Sequence, residues 1–181
     1  MKAIGIIEIT SIAKGIEICD RMIKASNVSV LDALPLCPGK YVIIIGGNVA
    51  DVKNSVDVAV QEAGAFLVDR LLIPNIDGQV FKALNNTSII DNVEALGIIE
   101  TFSVSSGILA ADTAVKAANV DLIEIRLSRG LGGKAFVTMT GSVGDVKAAV
   151  NAGCELAGQE GLLVAHAVIP APHEDLKKFI V

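Results

Sequence analysis

The sequence predicts an α/β sandwich of two tandem βαββαβ domains, each with a mainly antiparallel sheet and helices on one face. The first observation behind this is an internal repeat: residues 3–28 and 95–120 are identical at 13 of 26 gapless positions. The second is that apolar runs of strand length alternate with runs of helical period within each repeat. We therefore predict a first domain at 1–90 and a second at 91–181, both of a plausible size for small domains.

The first repeat opens with a strand and a helix. Ala3–Thr10 is nearly all apolar, which predicts a buried strand, and a 3.6-residue period begins directly after it. Because side chains at this spacing share one helical face, we expect the helix to bury one apolar stripe in the core. The stripe consists of Ile12, Ile16, Cys19 and Ile23.

The next two strands flank a corner. Val28–Leu34 and Tyr41–Ile45 are apolar runs of strand length, and the stretch Leu34-Pro35-Leu36-Cys37-Pro38-Gly39-Lys40 lies between them. Its prolines cannot donate to a ladder, and Gly39 permits a positive φ. The pattern predicts a stiffened loop that presents the thiol of Cys37.

A second helix and a fourth strand complete the repeat. Asn48 and Asp51 resemble a capping box, and Phe66–Ile73 reads as a strand that Pro74 ends. The expected core stripe of this helix is Val49, Val52, Val56, Val60 and Ala63. The polar link to the next repeat contains a short predicted helix around Val80.

The second repeat predicts the same order of elements. Its strands are expected at 95–102, 120–127, 135–140 and 162–169, and its helices at 104–118 and 143–157. The corner at 128–134 is rich in glycine, but a strand follows it instead of the helix that a phosphate-binding loop requires. We therefore interpret this corner as a turn whose backbone can approach another chain closely.

Composition limits the possible functions. Hydrophobic residues form 52% of the chain, yet no apolar run approaches the roughly 18 residues that span a bilayer. We expect a soluble oligomer that buries its surplus apolar surface between subunits. A net charge of −5 without charge runs argues against nucleic acid as a partner. The five apolar residues before Glu8 are too few for a signal-peptide core, which predicts a cytosolic protein.

Few side chains suggest chemistry. Cys19 and Cys154 fall on helical stripes and are predicted to pack, so Cys37 is the candidate ligand. A single chain offers it no neighbouring ligand in sequence, but three chains closed around this loop would bring three thiolates together, which suit an iron–sulfur cluster or a zinc ion.

Other titratable side chains are given structural roles. Glu8 and Glu100 are the same repeat position and lie in strands, so we interpret both as structural. Neither His166 nor His173 has triad partners at a suitable spacing, which favours surface or tail positions.

Three segments carry a resemblance to a known family. Ala3–Glu8, Met22–Val28 and Pro170–Glu174 resemble the signature segments of bacterial microcompartment shell proteins. Two such domains in one chain resemble the tandem, trimer-forming class with unpermuted element order. The corner Cys37–Lys40 is similar to that of propanediol-utilisation-type shell trimers, which hold a 4Fe-4S cluster at the central pore.

The resemblance implies a non-enzymatic tile of a microcompartment shell in the cytoplasm. It would be a homotrimer forming a pseudohexagon, with one 4Fe-4S cluster on three Cys37 ligands, zinc being the less favoured occupant. The tile would pass electrons or a cofactor across the shell. Its implied partners are other shell proteins at its sides and an encapsulated or cytosolic redox enzyme, with no nucleic acid and no membrane. The alternative is a duplicated α/β redox enzyme or a small-molecule-binding sensor.

The same resemblance assigns residues to the pore and to the tile edge. The pore-loop positions are Pro35, Leu36, Pro38, Gly39, Gly130, Leu131, Gly132 and Gly133. The tile-edge positions are Lys24, Asn27, Lys116 and Asn119. One departure is Ala171, which stands where the family has an arginine between the two prolines of its tail motif.

Overall fold

A computed structural model describes residues 2–127 and 131–180. Contacts divide the chain after Ile76 into two units. The first unit contains β1 (Ala3–Ile9), α1 (Ile12–Ala25), β2 (Val28–Leu36), β3 (Lys40–Gly47), α2 (Val49–Ala63), a 3-10 turn (Gly64–Phe66) and β4 (Leu67–Pro74). The second contains α3 (Gly78–Leu84), β5 (Ala95–Thr101), α4 (Val104–Ala117), β6 (Val120–Leu127), β7 (Ala135–Gly141), α5 (Val143–Gln159), β8 (Leu163–Ile169) and α6 (Glu174–Lys177).

The two sheets have the same topology. Their strand orders are β2-β3-β1-β4 and β6-β7-β5-β8, and all neighbours are antiparallel. Equivalent pairs recur at equivalent places, since Ile6 lies opposite Ile44 and Ile98 lies opposite Thr138. The predicted fold class is confirmed, and a short helix, α3, is present around Val80. None of the described helices is both long and apolar enough to cross a membrane.

Both helices of the first unit pack on the same face of its sheet. Gly5 allows this close approach, because a Cβ built there would lie only 2.7 Å from Val56 Cγ2. The core between the layers is formed by Ala3, Ile7, Ile9, Ile18, Met22, Tyr41, Ile43, Ile45, Val52, Val56, Ala59 and Ala63. In the second unit Gly97 fills the role of Gly5, with Val146 Cγ1 at 2.8 Å from the position of its missing Cβ.

The predicted core stripe of α1 is wrong. The buried residues of this helix are Gly15, Ile18 and Met22. Ile12, Ile16 and Ile23 are exposed by 42%, 56% and 46%. The physical reason is Gly15, which admits the ring of Tyr41 against the helix and so turns a different face to the core. Cys19 is half-buried against that core, as a packing residue would be.

The equivalent face of α4 is buried. Val104 and Ile108 occupy the repeat positions of Ile12 and Ile16, and both have no exposed surface. The chain therefore covers this helical face in its second unit and leaves it open in its first.

Two local predictions also need correction. Leu34–Lys40 is not a loop throughout, because β2 continues to Leu36 and Pro35 pairs with Tyr41. A proline is tolerated there since β2 is an edge strand, which does not need every ladder donor. The capping box at Asn48 is absent: its side chain makes no cap hydrogen bond.

Candidate functional site

The candidate site is the corner between β2 and β3, which is shorter and tighter than the sequence indicates. Leu36 lies opposite Lys40, so only Cys37, Pro38 and Gly39 form the turn. The Gly39 N–H donates to the Leu36 carbonyl at 2.9 Å and closes the turn. Gly39 has a φ of 81°, a conformation that favours glycine. The corner is thus held by backbone geometry and not by the thiol.

Burial separates the residues of this corner into tip and anchor. Cys37, Pro38 and Gly39 are exposed, as is Pro35 in the strand. Leu36 is only 4% exposed, so its side chain belongs to the interior of the unit. Cys37 therefore sits on an exposed tip, where its sulfur is available to a ligand or a further chain.

An ion pair ties each corner to the opening strand of its sheet. Lys40 Nζ lies 3.5 Å from Glu8 Oε2, and Glu8 is only 2% exposed. In the second unit Lys134 Nζ lies 3.0 Å from Glu100 Oε1. A buried carboxylate needs such a partner, because an isolated buried charge is strongly destabilising. The recurrence of the pair in both units agrees with structural roles for the two glutamates.

The second corner is described from Leu131 onward, and the predicted pore residue Gly130 lies outside the described residues. Lys134 N donates to the Leu131 carbonyl at 3.3 Å. Gly132 and Gly133 have φ values of 64° and 92°. Since Gly133-Lys134 matches Gly39-Lys40, Leu131 occupies the repeat position of Cys37. An aliphatic side chain thus replaces the thiol at this corner.

The other two cysteines differ from Cys37 in their surroundings. Burial raises the pKa of the Cys19 thiol, with a smaller contribution from the nearby Asp20 carboxylate. Burial alone raises the pKa of the Cys154 thiol, which lies in the core of its unit as predicted. Cys37 is the exposed cysteine. Over residues 2–127 and 131–180, one chain does not gather three His, Cys, Asp or Glu side chains into a metal site.

The family profile described as BMC domain matches residues 3–76 and again residues 95–172. The chain belongs to this family. Bacterial microcompartment shell protein PduT of Citrobacter freundii is 44% identical over 99% of this chain and 98% of its own length. Carboxysome assembly protein CcmO of Synechococcus elongatus is 30% identical over 96% of this chain and 67% of its own length. A crystal structure of a microcompartments protein from Desulfitobacterium hafniense DCB has a TM-score of 0.94 and 48% identity, covering 98% of this chain and 99% of that one.

The chain is thus a tandem BMC-domain shell protein, and the predicted resemblance and location in a microcompartment shell are confirmed. The names of its relatives fit a structural role. Residues 77–94, which link the two matched BMC domains, lie with the second unit, where Asp77 N donates to Asp112 Oδ1 at 2.8 Å.

The predicted edge residues of this BMC-domain protein lie at the ends of equivalent helices. Lys24 is 73% exposed and its Nζ lies 2.6 Å from Asp20 Oδ2. Lys116 makes the same contact with Asp112 Oδ2 at 2.6 Å, but Asp112 is buried. Asn27 and Asn119 follow their helices and are exposed. Each asparagine follows its lysine by three residues in the sequence, and the role of all four residues at a tile edge stays a prediction.

One exposed apolar surface was missed by the sequence reasoning: the face of α1 that carries Ile12, Ile16 and Ile23. Its apolar residues at helical spacing indicate burial, but periodicity cannot tell burial within a chain from burial between chains. The signal that could have found it is Gly15, repeated as Gly107, because a glycine inside a helix costs stability unless something packs closely against it.

Proposed function

We propose that this chain is a non-enzymatic tile of a microcompartment shell. Three copies close into a homotrimeric pseudohexagon, and the three Cys37 thiolates hold one 4Fe-4S cluster on the threefold axis. The observation that carries the proposal is the exposed thiol at the tip of a backbone-closed corner, present in one unit and replaced by Leu131 in the other. A cluster held there would supply one-electron transfer across the shell.

The donor set fits the cluster. Cysteine thiolates are the usual ligands of iron–sulfur clusters, and Cys37 is exposed on a tip where copies of the chain can converge. The corner can bear a ligand without depending on it, since the Gly39 to Leu36 hydrogen bond closes the turn. Zinc is the competing occupant, because three thiolates and a water complete its tetrahedral shell.

The trimer is supported by the open face of α1. Ile12, Ile16 and Ile23 are exposed apolar side chains on one helix, whereas the equivalent Val104 and Ile108 are buried. We infer that a neighbouring chain covers the α1 face. Other shell proteins would then join the tile along its sides, and a redox enzyme on one side of the shell would exchange electrons with the cluster.

The cluster is tested by metal analysis of anaerobically purified protein. We expect a brown wild-type protein with about four irons per three chains, and a colourless Cys37→Ala trimer without iron. Cys19→Ala is the matched control, since its half-buried thiol should not bind iron. Iron retained by the Cys37→Ala protein would overturn the site. One zinc per trimer in colourless wild-type protein would mean that the bound metal is a structural plug of the pore and not an electron carrier.

The trimer is tested on α1. Ile16→Asp should yield folded monomers, because residue 16 is 56% exposed within the chain, so an aspartate there would be buried, at a cost, only in an interface between chains. Ile16→Leu should keep the trimer, and Ile108→Asp should unfold the chain, since Ile108 is fully buried. Light scattering and circular dichroism distinguish these results. A trimeric Ile16→Asp protein would exclude the α1 face as the contact between chains, but it would not bear on the proposal for the Cys37 site.

A further inference from the structure

The second sheet carries an apolar hollow on the face that its two long helices do not cover. Its volume is about 410 Å³. Strands β5, β7 and β8 form the floor, and the C-terminal segment forms one wall. The lining residues are Leu96, Ile98, Glu100, Phe136, Thr138, Ile169, Leu176 and Ile180.

The first unit explains how the hollow arises. There Ile6 lies between Ile44 on β3 and Leu71 on β4. In the second unit Ile98 lies between Thr138 and Ala167. Two positions that carry large aliphatic side chains in one repeat therefore carry smaller ones in the other.

The residues of this face are also less buried in the second unit than in the first. Ile6 and Ile44 have no exposed surface, whereas Ile98 is half-buried and Ala167 is exposed. The second repeat carries less side-chain volume on this face than the first, and the partly exposed apolar surface of Ile98 and Phe136 is open to a ligand.

One polar atom at the hollow is unsatisfied. Thr138 is 7% exposed, and its Oγ1 is buried with no hydrogen-bond partner among the described residues. A buried hydroxyl without a partner is unfavourable, so a ligand that offers one gains binding energy. Because Thr138 lines the hollow, the hydrogen bond to a bound ligand would use a staggered χ1 rotamer in which Oγ1 faces that ligand.

The charged groups beside the hollow already have partners, which disfavours ionic ligands. The described lining residues include no Lys, Arg or His, and Arg126, which lies over the Phe136 ring at 5.2 Å, is paired with Glu124 at 2.7 Å, so a ligand carboxylate or phosphate would have to compete for its countercharge. The carboxylate of Glu100 already pairs with Lys134 at 3.0 Å, so it offers little to a cationic ligand. The volume is within the range of about 300–1,000 Å³ that is usual for small-molecule sites.

We propose that this hollow binds a small uncharged molecule with an aliphatic body and one hydroxyl or carbonyl group. The body packs on Ile98, Phe136 and Ile169, and the polar group forms a hydrogen bond with Thr138 Oγ1. This site is separate from the Cys37 corner and does not require the cluster.

The test uses 1-octanol as the probe and the full-length wild-type protein in its assembled state. Titration followed by methyl NMR should give saturable shifts at Leu96, Ile98 and Ile169. Octanoate at pH 8 should bind at least tenfold more weakly, because its charge would be buried without a partner. Absence of saturable binding to wild type, as when a neighbouring chain fills the hollow, would overturn the proposal.

Variants taken from the first repeat provide matched controls. Thr138→Ile with Ala167→Leu installs the side chains that Ile44 and Leu71 provide there, and should lower octanol affinity at least tenfold while the thermal midpoint is kept or raised. Thr138→Val removes the hydroxyl and keeps the shape of the side chain, so it should weaken the binding of octanol but not the binding of octane. Equal octanol binding by the filled double variant would refute the site. Cys37→Ala should bind octanol like wild type, which separates this proposal from the cluster.

Discussion

At the scale of single residues, Gly15 decides how the first helix meets its sheet. A Cβ at this position would lie 2.5 Å from Tyr41 Cδ1 and 2.8 Å from Tyr41 Cβ. The ring cannot move away freely, because the Tyr41 hydroxyl donates to the Ala33 carbonyl at 3.1 Å. The glycine is required here for close approach and not for an unusual φ.

Gly15→Ala should therefore lower the free energy of unfolding by about 1–3 kcal/mol, as overpacking of a core does. Urea denaturation measures this change. The control is Gly78→Ala at the first position of α3, where a Cβ would meet nothing within 4 Å. This substitution should raise the free energy of unfolding by about 0.4–1 kcal/mol, because alanine lowers the conformational entropy of the unfolded chain. Unchanged stability of Gly15→Ala would mean that the ring adjusts more easily than its hydrogen bond suggests.

The contrast between Gly15 and Cys37 shows what single residues reveal in a sequence. The prolines and the glycine around Cys37 predict an exposed corner, and the thiol is exposed. Gly15 contributes no hydrophobicity to a periodic stripe, so the pattern selects Ile12 and Ile16 as the core face instead. A space left for an aromatic ring is a property of two distant residues, which a local pattern does not contain.

At the scale of elements, equivalent helices begin in different ways. Ser142 Oγ accepts from the Asp145 N–H at 3.2 Å and caps α5. Asn48, at the equivalent start of α2, makes no such bond with its side chain. A cap satisfies one of the unpaired N–H groups of a first turn, so the two helices should respond differently to its removal.

Ser142→Ala should cost about 1 kcal/mol of unfolding free energy, the usual loss for a cap. Asn48→Ala is the matched control and should cost clearly less, because no hydrogen bond is lost. Both variants are compared by chemical denaturation under identical conditions. Equal losses would show that Asn48 caps α2 in solution.

The types of the eight strands and of the four long helices of the described chain were predictable, since each has its own period and its own breakers, whereas the four-residue α6 at Glu174–Lys177 was not predicted. The ends were less predictable. Pro35 reads as part of a loop, yet β2 continues through it, because an edge strand tolerates a residue that lacks a ladder donor. Edge position follows from the strand order, which is a tertiary property.

At the scale of the whole molecule, lateral assembly should depend on the helix-end lysines. Lys24→Asp combined with Lys116→Gln should abolish sheets in electron micrographs while trimers persist. Exposed pairs such as Lys24–Asp20 contribute only about 0.3–0.5 kcal/mol to folding. Glutamine is chosen at residue 116 because it can still donate to the buried Asp112, which a second carboxylate would repel.

The control for that experiment is Lys53→Asp, which reverses an exposed lysine that is paired with Asp57 on α2. It should leave the sheets unchanged. Sheets formed normally by the Lys24 and Lys116 variant would remove both lysines from the tile edge.

The duplication was evident from aligned identities alone, and so was the common topology of the two units. The resemblance of three segments pointed to the family that the comparisons establish. The hollow beside Thr138 was not predictable, because it results from small side chains on two strands that are adjacent only after folding. Differences between repeats are visible in the sequence, but their location on one face is not.

The replacement of Cys37 by Leu131 has a consequence for symmetry and number. A ring of six identical single-domain chains would present six equivalent thiols or none, and six sulfurs around one axis do not match a cluster that offers four irons. Joining two domains in one chain lets their corners diverge and reduces the rotational order of the proposed ring from six to three. In the proposed ring, gene duplication would set the ligand count: it would permit three sulfurs and leave one iron free to take a different ligand.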